Sequence, residues 1–144
     1  MNSTYCSAVD TGLFVSTQGD VGLCCSGSYP LGNIKKQPIK EIFANSKFPV
    51  IQWTLKRNHP HDYCSGCTKT EKQASGSSQR SAFNLQFPPQ EKREIKLIDV
   101  RWSNVCNLSC RYCNVYDSSE WSRIMNVPVP SVNRDYTDSL FEEI

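Results

Sequence analysis

"GLFVSTQGDVGLCC", Gly12–Cys25, alternates apolar and polar residues on both sides of Gln18-Gly19-Asp20. Alternation with a period of two is the mark of a strand with one buried face, and a glycine between two such runs allows the positive φ of a tight turn. The stretch therefore predicts a β-hairpin. It also ends on a cysteine pair, Cys24-Cys25, which the returning strand carries back toward the start of the hairpin and toward Cys6.

The flanking residues predict helices gathered on this hairpin. In "QPIKEIFANS", Gln37–Ser46, Pro38 suits a first helical position, and Ile39, Ile42 and Phe43 follow at i, i+3 and i+4. Ser46 suits the N-cap of a second helix with Phe48, Ile51 and Leu55 on one face, ending around Asn58-His59-Pro60. Cys64-Ser65-Gly66-Cys67 reads as a metal-binding knuckle, Gly66 supplying the tight turn between neighbouring ligands. His59 and His61 beside it are candidate zinc ligands, although loop histidines are more commonly solvated. Four thiols on so small a unit point to a metal centre that helps hold it together.

"KQASGSSQRSAFNLQFPPQEKRE", Lys72–Glu94, is polar and rich in Ser and Gln and reads as a linker or wrapped connection, with a domain boundary near Pro88–Gln90. The expected units are residues 1–88 and 89–144. "EIKLIDVRWSNVC", Glu94–Cys106, is a predicted strand with Ile95, Leu97, Ile98, Val100 and Trp102 as its apolar members. Directly after it, Cys106, Cys110 and Cys113 fall within eight residues and no fourth cysteine follows. "DSSEW" fits a capping box, with Asp117 as N-cap and Glu120 three residues on, opening a helix to about Met125. "VPVPS" breaks that helix, and Thr137–Ile144 suggests another. The chain thus reads as α+β, its second half the beginning of a β/α unit.

Composition narrows the chemistry. With 38% hydrophobic, 21% charged and 10% aromatic residues, the 144-residue chain is globular rather than disordered. A net charge of +2, spread along the chain without an aromatic-interleaved basic patch, excludes the usual nucleic-acid binder. No apolar run approaches the roughly 20 residues of a membrane span. The first residues, "MNSTYCSAVD", lack the basic and apolar regions of a signal peptide, so a cytoplasmic location is expected. In that reducing compartment eight cysteines read as metal ligands before disulfides. Structural zinc takes four closed ligands, so three cysteines alone would have to borrow one. An iron–sulfur cube held by three thiolates instead keeps one iron open to a small molecule.

"CNLSCRYC", Cys106–Cys113, resembles the C-x3-C-x2-C motif of the radical S-adenosylmethionine superfamily, including the aromatic Tyr112 before the last cysteine. The resemblance implies a [4Fe–4S] cluster on Cys106, Cys110 and Cys113, its open iron chelated by S-adenosylmethionine. Tyr112 would lie near the adenine, mostly through position and backbone. An electron from the cluster would cleave the cosubstrate to methionine and a 5′-deoxyadenosyl radical, which abstracts hydrogen from a substrate. The implied reductant is a flavodoxin or ferredoxin, and the implied activity an oxidoreductase-type radical reaction on an unassigned substrate, peptides being one candidate class. No residue is assigned as a general acid or base.

The first half is similar to the SPASM/twitch auxiliary-cluster domain of that superfamily. Cys6, twelve residues, Gly19, four residues and Cys24 are followed by Cys64-x2-Cys67, and "LGNIKKQPIKEIFANSKF", Leu31–Phe48, is similar to the loop and helix found there. This implies a second, auxiliary [4Fe–4S] cluster on Cys6, Cys24, Cys64 and Cys67. Successive strand residues face opposite sides, so only one of Cys24 and Cys25 can aim at it. The family spacing selects Cys24 and leaves Cys25 as a small buried hydrophobe. The fold implied for the second half is the first strand, cluster loop and helix of a (β/α) barrel.

The alternative is a zinc-binding interaction module without catalysis, for which the four first-half thiolates would close a tetrahedron. Arg101, Trp102 and Arg111 suit contacts to a partner domain, or simply charge at a strand end. The family's glycine-rich strand, which holds the amino group of S-adenosylmethionine, has no counterpart, since no glycine follows Gly76. A complete barrel runs to roughly 200 residues or more, so the chain is expected to be the N-terminal part of a larger enzyme. With dithionite as reductant, it is predicted to produce no sustained 5′-deoxyadenosine by itself. Continued formation, followed chromatographically, would overturn that expectation.

Overall fold

A computed structural model describes residues 4–45, 47–73 and 77–129. Its elements run in the order α1 (Ala8–Thr11), β1 (Gly12–Val15), β2 (Asp20–Gly22), β3 (Gly32–Asn33), α2 (Ile39–Ala44), α3 (Lys47–Lys56), a 3-10 turn (Asp62–Cys64), α4 (Ser65–Lys72), α5 (Gln79–Gln86), β4 (Leu97–Val100) and α6 (Ser119–Met125). The fold is mixed α+β, built on one four-stranded sheet of order β3-β2-β1-β4.

The hairpin forms where the alternation places it. Phe14 pairs with Gly22 and Val15 with Val21 in antiparallel register. Ser16 closes the turn, its amide donating to the Asp20 carbonyl at 2.9 Å while its hydroxyl accepts from the amides of Gln18 and Asp20. Gly19 takes φ +83°, the conformation for which glycine is the inexpensive choice. Leu13, Val15, Val21 and Leu23 face a common core with Ile39, Ile42, Phe48, Ile51, Leu55, Tyr63 and Phe83. Each fully buried aliphatic of this kind contributes about 1.5–3 kcal/mol.

The predicted second-half strand is present as β4, and it joins the first-half sheet. It lies parallel to β1, Gly12 beside Leu97 through Val15 beside Val100. The pairing extends beyond both strands, with the amides of Glu94 and Lys96 donating to the carbonyls of Asp10 and Thr11, each at 2.8 Å. Arg93 secures the approach. Its guanidinium donates to the carbonyls of Val9 and Gly12 at 2.7 Å each and stacks 4.1 Å from the Phe43 ring centroid. Burial lowers its pKa to about 10, which leaves it charged at neutral pH.

Four local readings are corrected. The stretch read as a linker contains α5, opened by a reciprocal capping box between Ser78 and Ser81 and burying Arg80 and Phe83. Its polar composition concealed it, because serine is a helix starter as well as a loop residue. Pro38 is the N-cap of α2, with extended ψ of 152°, rather than its first helical residue. Gly66 lies inside α4 without a positive φ, because the CxxC segment passes from the 3-10 turn straight into a helix. The cap of α6 is Ser118, whose hydroxyl accepts from the Trp121 amide; Asp117, one residue earlier, is drawn into an ion pair with Arg101 at 3.0 Å. The cap expected at Ser46 and the helix expected at Thr137–Ile144 lie outside the described residues.

Among the glycines, Gly12 marks the tightest approach of two backbones. A Cβ there would stand 2.2 Å from the Leu23 carbonyl oxygen and 3.2 Å from the Phe83 ring. A Cβ on Gly66 would meet nothing closer than the Ser26 carbonyl oxygen at 3.7 Å. Gly12→Ala is therefore predicted to destabilise the as-isolated chain by about 2 kcal/mol or more. Gly66→Ala, placed in a helix, should stay within about 1 kcal/mol of the parent or improve on it. Urea unfolding compares the two, and equal effects would contradict the packing described.

Candidate metal centre

All eight cysteines are free thiols. Cys6 precedes α1, Cys24 follows β2, Cys64 closes the 3-10 turn and Cys67 sits in the first turn of α4. Three separate stretches of chain thus converge. The convergence is enforced by α5, the helix that composition hid. Asn84 accepts from the Ser7 amide at 2.7 Å and donates to the Tyr5 carbonyl at 2.8 Å, gripping the chain on both sides of Cys6. Arg80 donates to the Thr4 carbonyl at 2.9 Å. Tyr63, fully buried, accepts from the Leu23 amide at 2.8 Å and so ties the residue before Cys24 to the residue before Cys64.

The four thiols are coupled electrostatically. Burial pushes the Cys6 thiol up to about 12, with Cys64, Cys24 and Cys67 adding to the rise. Cys24 is also pushed up to about 12, chiefly by burial and further by Cys25, Cys64 and Cys67. Cys64 rises to about 11 through burial, with Arg80 acting in the opposite direction. In the metal-free chain these three thiols stay protonated at neutral pH. Thiolates in such a place need a cation or cluster to offset the desolvation.

The donor set fits a sulfur-ligated group, since soft thiolates select zinc or iron–sulfur centres. A single tetrahedral zinc, with Zn–S near 2.3 Å, would draw its sulfurs to within about 4 Å of one another. Among the described residues no three His, Cys, Asp or Glu side chains are gathered as a site for one ion. A cavity of about 220 Å³, lined by Phe14, Asp20, Cys24, Tyr29 and Tyr63, opens on the Cys24 side. A second, of about 460 Å³, is lined by Cys67, Ser26, Gly66, Thr70 and Ser78.

Cys25 departs from expectation. It is exposed rather than buried, because β2 ends at Gly22 and the pair occupies the turn that follows. Cys24 is sensed by Cys25 as well as by Cys64 and Cys67, and Cys25 also lies within electrostatic reach of Arg101. Of the two histidines, His61 caps the 3-10 turn by accepting from the Tyr63 amide at 3.1 Å, and His59 is exposed.

Cys106, Cys110 and Cys113 are half-buried in the loop between β4 and α6. The start of α6 holds that loop. The Ser119 hydroxyl accepts from the Cys106 amide and donates to the Cys106 carbonyl, both at 2.9 Å. Ser118 donates to the Leu108 carbonyl at 2.8 Å, and the Trp121 indole to the Cys110 carbonyl at 2.9 Å. The backbone is thus fixed by its neighbours, and the Cys106 and Cys113 thiols make only long contacts of their own, donating to the Leu108 and Asn114 carbonyls at 3.8 and 3.9 Å. Tyr112 is 94% exposed, and Arg101, ion-paired with Asp117, stacks 5.2 Å from the Phe14 ring and joins loop to hairpin. The buried amide nitrogen of Asn104, two residues before Cys106, has no hydrogen-bond partner among the described residues and is an available donor at the root of the loop. Sequence reasoning missed Arg80 and Asn84. The signal available was Ser78 three residues before Ser81, with Arg80 and Phe83 on one helical face.

No helix among the described residues is long and apolar enough to cross a membrane. Comparisons with curated proteins and with solved structures returned no match. A scan of protein families did: residues 6–68, from Cys6 to just past Cys67, match SPASM, an iron–sulfur cluster-binding domain.

Proposed function

We propose that the chain is the auxiliary-cluster domain and first barrel segment of a radical S-adenosylmethionine enzyme. The observation that carries this reading is the coincidence of the family match over residues 6–68 with the four thiols the fold brings into mutual electrostatic reach. Cys6, Cys24, Cys64 and Cys67 would hold the auxiliary cluster; Cys106, Cys110 and Cys113 would hold a second one in the loop after β4. When bound, these groups supply one-electron chemistry, with one iron of the loop cluster left open for S-adenosylmethionine.

The chain's own residues do the positioning. Ser118, Ser119 and Trp121 fix the loop backbone, so that the three thiols can be presented without the loop having to order first. Tyr112, exposed beside Cys113, would meet the cosubstrate. The burial of Cys6 and Cys64 and the partial burial of Cys24 raise the demand for a compensating metal group. The substrate, for which peptides are one candidate class, and the reductant, of flavodoxin or ferredoxin type, are part of the same proposal.

Anaerobic reconstitution tests it. The expected product is brown protein with two [4Fe–4S] clusters per chain, counted by iron and sulfide analysis. Replacing Cys106, Cys110 and Cys113 together by Ala should halve the iron and leave the auxiliary cluster. Colourless protein with stoichiometric zinc would favour the zinc module instead. At the cysteine pair, Cys24→Ser should lose the auxiliary iron and Cys25→Ser should keep it. The reverse result would assign the ligand to Cys25.

A further inference from the structure

The strongest unexplained feature near the thiols is a buried charge. Arg80 is 3% exposed, lies outside the stretch that matches the family, and belongs to a helix that composition does not announce. Its guanidinium forms a bidentate ion pair with Glu71, with Nε 2.9 Å from one carboxylate oxygen and Nη2 on the other. It donates to the Thr4 carbonyl, two residues before Cys6. It also reaches the Thr68 hydroxyl at 3.4 Å, which in turn donates to the Cys64 carbonyl at 3.1 Å. One cation therefore contacts the chain two residues before Cys6 and next to Cys67, and is linked to Cys64 through the Thr68 hydroxyl.

The ion pair is not symmetric with respect to the thiols. Glu71 lies one helical turn beyond Cys67 along α4, and it is the more exposed partner, at 17% against 3%. The guanidinium reaches Thr4 and Thr68, close to Cys6 and Cys67 in the chain, whereas the carboxylate accepts from the Ser78 hydroxyl at the start of α5. The pair behaves as a dipole with its positive end toward the cysteines. Reducing an iron–sulfur cluster adds negative charge to it, and a fixed positive charge in a poorly solvated place stabilises the reduced form.

We propose that Arg80 sets the reduction potential of the auxiliary cluster upward, with Glu71 both holding the guanidinium and moderating its effect. This rests on the assignment of Cys6, Cys24, Cys64 and Cys67 as cluster ligands. It follows that the two partners of one ion pair shift the potential in opposite directions, which a purely structural role does not produce.

The experiment uses the full chain carrying Ala at Cys106, Cys110 and Cys113, so that only the auxiliary cluster reports. Its midpoint potential is measured by dye-mediated titration with electron paramagnetic resonance of the reduced cluster, alongside iron content. Arg80→Gln should move the potential down, Glu71→Gln should move it up, and Arg80→Lys, which keeps the charge, should stay closest to the parent. Should Arg80→Gln fail to hold iron, an upward shift in Glu71→Gln still supports the proposal, and an unshifted or lowered one overturns it. With iron retained, equal potentials or shifts of one sign in the two Gln variants also overturn it. A parent chain that binds no auxiliary cluster fails the ligand assignment itself, and the tuning proposal with it.

Discussion

The parallel pairing of β1 with β4 is the constraint on which the rest of the molecule depends. Parallel neighbours cannot be joined by a tight turn and need a crossover of a dozen residues or more. Here the crossover is everything from Ser16 to Lys96: the return strand, β3 and helices α2 to α5. Cys24, Cys64 and Cys67 all lie inside it, Cys6 lies just before β1, and the three-cysteine loop begins just after β4. One ladder of hydrogen bonds thereby relates both sets of thiols. Contacts between residues so distant in sequence form at a high cost in loop entropy, which the packing of the whole crossover must offset.

Much of this was legible from pattern. The alternation in Gly12–Cys25 and the glycine at its turn were enough for the hairpin, because a one-residue slip would have exposed Leu13, Val15 and Val21 together. Ile39, Ile42, Phe48, Ile51 and Leu55 announced α2 and α3 by spacing. What stayed hidden was polar. Helix α5 buries an arginine where a hydrophobe would have given the period away, and its serines read equally as loop. The α6 cap was misplaced by one residue because Asp117 and Ser118 are both good caps, and only the distant Arg101 decides between them. The exposure of Cys25 depends on where β2 stops, which hydrophobic alternation does not encode.

Charges buried in this small unit specify arrangement more than they add stability. Asp10 is fully buried and is met by Lys56 at 3.0 Å, Gln52 at 2.9 Å and the Tyr5 hydroxyl at 3.3 Å. Arg93 donates to the backbone carbonyls of Val9 and Gly12, and Arg80 to that of Thr4. Removing one partner from such a group typically costs about 3–5 kcal/mol, whereas a well-packed apolar replacement of the whole group can cost nothing. Their placement within a few residues of Cys6, or in contact with that segment, fits a role in fixing where the first thiol stands.

The indole of Trp121 gives the cysteine loop an optical handle. Its N–H is engaged by the Cys110 carbonyl at 2.9 Å, so any rearrangement of the loop changes the polarity and hydrogen bonding around that ring. The other two tryptophans occupy different surroundings: Trp53 is 56% exposed under the Arg57 guanidinium, and Trp102 packs against the core. Emission from a chain keeping Trp121 as its sole tryptophan would follow the loop from within, through wavelength as the backbone shifts and through quenching as a coloured group arrives.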